Sequence, residues 1–142
     1  MAESFKTNSQ TFNFRNLHPK ILIGTASDRY IGWIGQIYSQ HRYEGRITKR
    51  TKLIGAHTFT EEVLPVDSVE EYFDHFQILE IDFTFYRPLL DQDGQPTQNY
   101  QVLKTYSRHL QEDDRILLKV PQLITAQKIR KGDQHGALLQ AI

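Results

Sequence analysis

Apolar and polar side chains alternate through residues 79–87, LEIDFTFYR. Leu79, Ile81, Phe83 and Phe85 share one side of a strand at period two; Glu80, Asp82, Thr84 and Tyr86 share the other. In an antiparallel sheet the polar row would face water. In a β/α barrel it would line the interior. The flanking patterns bear on the choice. Upstream, Ser68 with Glu71 three positions later has the form of a capping box. Val69, Tyr72, Phe73 and Phe76 then make an i, i+3, i+4, i+7 stripe, which predicts a helix leading into the strand. Downstream, the turn-rich PLLDQDGQP precedes a second predicted helix over 97–111, with Tyr100, Leu103, Tyr106 or Ser107, and Leu110 on one face. The acidic QEDD that follows is unfavourable at a helix C-terminus and is placed beyond it. Residues 115–121, RILLKVP, read as a third strand that Pro121 ends. Nearer the start, the apolar run at 20–23, KILI, suits a strand buried on both faces, and GTASDRYIGWIG a loop leaving it. Residues 41–66 carry mixed signals and receive no element.

The resulting order is strand, long loop and helix, strand, helix, strand. Such alternation favours an α/β fold with a parallel sheet and right-handed crossovers. The polar row of 79–87 then turns inward, and each strand delivers its C-terminal loop to a common rim. Residues 1–18, rich in Ser, Thr, Asn and Gln and without a period, read as a flexible N-terminal arm whose Phe5, Phe12 and Phe14 can dock on the domain.

Composition narrows the class. With 142 residues, 39% hydrophobic and 24% charged, the chain supports one globular domain with a real core. Seventeen basic and seventeen acidic side chains cancel, which argues against a dedicated non-specific nucleic-acid binder but leaves room for a local basic patch. The absence of cysteine excludes disulfides, thiolate metal sites and a cysteine nucleophile. No apolar run approaches the roughly 18 residues of a membrane span. The opening MAESFKTNSQTFNFRN lacks the apolar stretch of a signal peptide, so the cytoplasm is the expected location.

Glu80, Asp82 and Lys119 are the strongest candidates for chemistry. Two inward carboxylates on one strand, with a lysine from the next, can do general acid–base work, because a shared, partly desolvated site pushes pKa values apart. Without histidine they would hold a metal only weakly, and none is expected. A structural ion-pair network explains the same residues equally well. Thr25, Ser27, Tyr30 and Trp33 after the first strand, with Thr84 and Tyr86, are candidates for lining a ligand. Tyr30 and Trp33 could stack on a sugar or a base, although aromatics more often just cover a barrel end. Arg42, Arg46, Lys49, Arg50 and Lys52 form one basic cluster, diluted by Glu44. Arg46, Lys49 and Arg50 could contact phosphates there, against a plain reading as a solvated loop. Gly24, Gly32 and Gly35 form no phosphate-binding fingerprint, and no cofactor is specified. The six histidines lack metal-ligand spacing, and His75 and His109 are expected on helix surfaces.

The three predicted strands together resemble the YecE-like family, domain of unknown function 72. The family's G-T-S-G-W-x-Y-x-x-W is matched by Gly24, Thr25, Ala26, Ser27, Tyr30 and Trp33. Its Y-x-x-x-F and V-E-I-N-S-T-F-Y-R are matched by Tyr72, Phe76 and residues 79–87. Its F-x-V-K-x-P-x-x-I-T-H is matched by Leu117, Lys119, Pro121, Ile124 and Thr125. Asp82 stands where the family has asparagine, and Ala126 where it has histidine. The resemblance implies the N-terminal portion of a TIM-like β/α barrel, about three β/α units over 19–131 with the barrel not closed, followed by an atypical tail at 132–142. Because such barrels run to roughly 250 residues, the expectation is a truncated member, with a separate chain carrying the missing half as a partner. The function it implies is a hydrolase- or isomerase-type site on a phosphorylated or sugar-like ligand, with Thr125 among the ligand-binding residues. The alternatives are a non-catalytic nucleic-acid or nucleotide binding module, and an inactive half-barrel.

Overall fold

The computed structural model describes residues 12–125. Along the chain come β1 (Gly24–Ala26), α1 (Gln40–Tyr43), β2 (Thr48–Ile54), β3 (His57–Val63), α2 (Val69–His75), β4 (Ile78–Ile81), α3 (Phe83–Tyr86), α4 (Gln98–His109), β5 (Arg115–Leu118) and α5 (Gln122–Thr125). β1, β4 and β5 form a parallel three-stranded sheet in the order β1-β4-β5, and β2 and β3 form a separate antiparallel hairpin. The α/β class with a parallel sheet follows the alternating pattern of the sequence. Among the described residues no helix is long and apolar enough to cross a membrane.

The sheet begins at Gly24, not in the apolar run at 20–23, where Ile21 and Leu22 are exposed. The reason is steric. Gly24 lies so close to the neighbouring strand that a Cβ there would fall 1.7 Å from the Ile78 carbonyl oxygen, an approach only glycine allows. From this start Gly24, Thr25 and Ala26 pair with Ile78, Leu79 and Glu80. Ile78–Ile81 pair in turn with Arg115–Leu118.

Leu79 and Ile81 point into the core and are buried, whereas Ile78 and Glu80 are half-buried on the opposite face. The predicted stripe of α2 behaves as expected. Val69, Tyr72, Phe73 and Phe76 are all buried, and Tyr106 of α4 joins them with Tyr38, Tyr43 and Leu64. The acidic residues Glu112, Asp113 and Asp114 lie beyond α4, as expected from the helix dipole.

Four local expectations are corrected. The alternating segment 79–87 is a strand only to Ile81; residues 83–86 turn into α3, so Thr84 and Tyr86 do not continue the polar row. The hydroxyl of Thr84 donates to the Lys119 carbonyl at 2.8 Å, and Phe83 meets the Tyr106 ring edge-on at 6.5 Å. Those contacts outweigh the strand preference of Phe, Thr and Tyr. The Ser68–Glu71 capping box does not form: Ser68 already has helical dihedrals, with a short 3₁₀ turn after Pro65 leading in. Glu71 instead accepts from the backbone N–H and the hydroxyl of Ser39. His75 is buried rather than on the surface, where its Nδ1 hydrogen-bonds the Phe12 carbonyl. Finally, β5 stops at Leu118, so Lys119 and Val120 lie just past the strand end.

Within the expected arm, residues 12–16 strap across the C-terminus of α2. Phe14 stacks on Phe76 at 5.0 Å. Arg15 donates to the carbonyls of Phe73 and Phe76 and to the Asp114 carboxylate at 2.6–2.7 Å, meeting the unpaired C-terminal carbonyls of the helix. Phe5, the remainder of the arm to residue 11, and the tail at 132–142 lie outside the described residues.

Candidate functional site

Parallel strands bring their C-terminal ends to one side of the sheet, where α/β proteins build sites. The connections after β1 and β4 leave from that side here, and a cleft of about 1200 Å3 opens among them. Its residues come from four sources: the loop after β1, the end of β4 with α3, the hairpin, and Val102 and Tyr106 of α4.

From the end of β4 come Glu80 and Asp82. The Lys119 ammonium bridges them, 2.8 Å from the Glu80 carboxylate and 2.6 Å from that of Asp82. All three side chains are roughly one-third to one-half exposed, so the cluster is open to solvent rather than sealed. The bond to Asp82 first, and that to Glu80 second, hold the Lys119 ammonium above its ordinary value. The three candidates for catalysis are therefore assembled at one place.

The loop after β1 supplies Ser27, Asp28, Arg29, Tyr30 and Trp33. Ser27 has a left-handed backbone (φ 77°), held by an N–H bond to the Glu80 carbonyl at 2.9 Å. This turn fixes where the loop leaves the sheet, at a local cost of about 1–3 kcal/mol. Tyr30 and Trp33 meet edge to face at 4.8 Å, and the Tyr30 hydroxyl donates to the Ala26 carbonyl. Tyr86, from α3, lines the same cleft and is largely exposed.

The hairpin forms the remaining wall. Its register puts Arg50 opposite Glu61 and Lys52 opposite Phe59 on one face, and Arg50, Lys52 and Glu61 line the cleft. Glu61 accepts from both cations, at 2.6 Å for Arg50 and 2.7 Å for Lys52, which lowers its pKa, the Lys52 bond most. The proposed phosphate contacts are thus divided: Arg50 reaches the cleft already paired. Arg46 pairs with Asp67 at 2.8 Å and Lys49 lies 3.8 Å from Glu62, and neither Arg46 nor Lys49 lines the cleft.

Three further candidates stand apart from the cleft lining. Thr25 donates to the Ser27 carbonyl at 2.7 Å and sits 3.0 Å from the Tyr72 hydroxyl. Thr84 is buried against backbone carbonyls. Thr125 is exposed on α5 and bonds the Pro121 carbonyl.

Asp28, passed over in the sequence, lies in this cleft with its carboxylate almost wholly buried. Both oxygens accept from the Tyr106 hydroxyl, at 2.8 and 2.9 Å, while its main-chain carbonyl accepts from Tyr38. Burial pushes the carboxyl up to about 6, only partly offset by the Tyr106 bond and the Arg29 charge. Burial and the neighbouring carboxylate push the Tyr106 hydroxyl well above its ordinary value. Arg29 and Arg87 were likewise unassigned, and both line the cleft. The one sequence signal for Asp28 is its place two residues beyond a parallel strand's C-terminal end.

Among the described residues no group of three His, Asp or Glu side chains is arranged to hold a metal ion. No protein-family model matches the chain, and neither does a curated protein or a solved structure.

Proposed function

We propose that the cleft binds a sugar-like ligand and that Glu80 and Asp82 serve hydrolase-type chemistry on it. The observation that carries this reading is the pairing of unlike carboxyl groups in one cleft. Asp28 keeps its proton to about pH 6, whereas Glu80 and Asp82 sit against the Lys119 charge. The raised carboxyl of Asp28 suits it to the part of the acid. In a glycoside hydrolysis the acid would protonate the leaving oxygen as its bond to the sugar carbon breaks. A carboxylate would take the proton from the water that adds to that carbon. Tyr30, Trp33 and Tyr86 offer apolar faces against which a sugar ring can lie.

The same reading takes the sheet order β1-β4-β5 as the opening three β/α units of a YecE-like barrel. A second chain bearing further parallel strands would then complete it along β5. In support, Leu117, Leu118 and Val120 are exposed at that edge. The nucleic-acid reading has less support, since the basic residues on which it rests have carboxylate partners.

Trp33 is the sole tryptophan, so its emission reports the cleft directly. Titration with glucose, galactose and xylose to tens of millimolar should shift that emission for at least one of them. Turnover of nitrophenyl glycosides should disappear in Glu80→Gln or Asp82→Asn. An unchanged emission with every sugar would refute the binding reading, and turnover unaffected by both substitutions the catalytic one.

A further inference from the structure

We infer that the cleft takes an anionic sugar, its phosphate or carboxylate group held by Arg29 and Arg87 and not by the basic hairpin. This rests on the reading of the cleft as a sugar site and names the class of sugar.

The cations around the cleft differ in how far they are already paired. Each cation of the basic segment is committed: Arg42 to Glu70, Arg46 to Asp67, Lys49 to Glu62, and Arg50 and Lys52 to Glu61. Lys119 is committed to Glu80 and Asp82. An anion binding to any of these would have to share the cation with a carboxylate already in place. Arg29 and Arg87 line the same cleft, and among the described residues neither has a carboxylate within ion-pair distance. Arg29 spends its Nε–H on the Leu64 carbonyl, which fixes the guanidinium and leaves its terminal nitrogens for a ligand. Its charge also stabilises the Asp28 carboxylate, a weaker interaction than a contact pair.

Arg87 follows α3 directly, next to the exposed ring of Tyr86. A planar guanidinium suits the paired oxygens of phosphate or carboxylate. The carboxylates Glu61, Glu80 and Asp82 would repel a bare anion. A ligand with one anionic group and a neutral hydroxyl-bearing ring meets both halves of the site: the anion on the arginines, the ring beside the aromatics and carboxylates.

The test is Trp33 emission at low ionic strength with three probes: glucose, glucose 6-phosphate and glucuronate. The unsubstituted chain is compared with Arg87→Gln, and with Arg46→Gln as a control outside the cleft. At least one anionic probe should bind about tenfold or more tighter than glucose, the factor one charge-assisted hydrogen bond supplies. Arg87→Gln should remove that advantage, while Arg46→Gln should preserve it. Preference between the two anionic probes then identifies phosphate or carboxylate as the group held. Equal binding of glucose and both anionic probes overturns the inference and leaves the sugar reading intact. So does an advantage abolished by Arg46→Gln but not by Arg87→Gln. Binding of none of the three overturns the sugar reading itself and the inference with it.

Discussion

Asp28→Asn should change how stability depends on pH in a direction opposite to that of most carboxylates. The carboxyl of Asp28 is raised from 3.8 to about 6, chiefly by burial. Well below its ordinary value of 3.8 it is protonated in both folded and unfolded chains and contributes no difference. As pH rises, the unfolded chain releases this proton first. The folded state then binds more protons than the unfolded one, so stability falls until the folded group itself ionises near pH 6. A shift of about two units at 1.36 kcal/mol each amounts to roughly 3 kcal/mol, fully present by about pH 7. The amide that replaces the carboxyl in Asp28→Asn does not titrate, and its carbonyl can still accept from Tyr106. Glu61 and Asp67, whose pKa values are lowered, push stability the other way, but they are common to both proteins and cancel in the difference. Urea unfolding of the two proteins at intervals from about pH 4 to 8 measures the gap. Asp28→Asn should gain on the unsubstituted chain by roughly 3 kcal/mol across that range. A gap constant to within about 0.5 kcal/mol would show that the buried carboxylate is not penalised as its surroundings imply.

Two further substitutions test the frame around the cleft. Arg15→Ala removes the one ion-pair partner of the buried Asp114 carboxylate among the described residues, and two bonds to α2 carbonyls; thermal and urea melts should show a loss of about 3–5 kcal/mol, partly recovered by adding Asp114→Asn. Gly24→Ala drives a methyl into the Ile78 carbonyl and should cost more than about 4 kcal/mol, seen as lost far-ultraviolet dichroism and aggregation on gel filtration; a normally folded Gly24→Ala protein would mean that β1 does not pair with β4 as described.

Where burial and period coincide, the sequence was readable. The stripe of α2, the buried Leu79 and Ile81 of β4, the position of α4 and the start of β5 all follow from apolar spacing. The hairpin left no such trace. Every residue of β2 is exposed, so neither of its faces needs to be apolar, and alternation has nothing to record. The stop after Ile81 was hidden for a different reason. Phe83, Thr84, Phe85 and Tyr86 are all good strand formers, and only the contacts of Phe83 with Tyr106 and of Thr84 with Lys119 turn them into α3. Of the candidate site, Glu80, Asp82 and Lys119 were legible because adjacent parallel strands align them. Asp28 was not. Its character comes from the hydroxyl of Tyr106, 78 positions away, and no local pattern announces such a meeting.

The strap formed by residues 12–16 bears on the order in which the chain can assemble as it leaves the ribosome. Arg15 emerges early, and the α2 carbonyls that receive it follow, but its counter-ion Asp114 lies 99 positions downstream. Docked before Asp114 exists, the guanidinium would have only the α2 carbonyls as partners and no counter-ion for its part-buried charge. At 5–20 residues per second, roughly two to eight seconds separate the end of α2 from the start of β5. The amino-terminal strap therefore gains its full set of partners only once the chain has reached the start of β5.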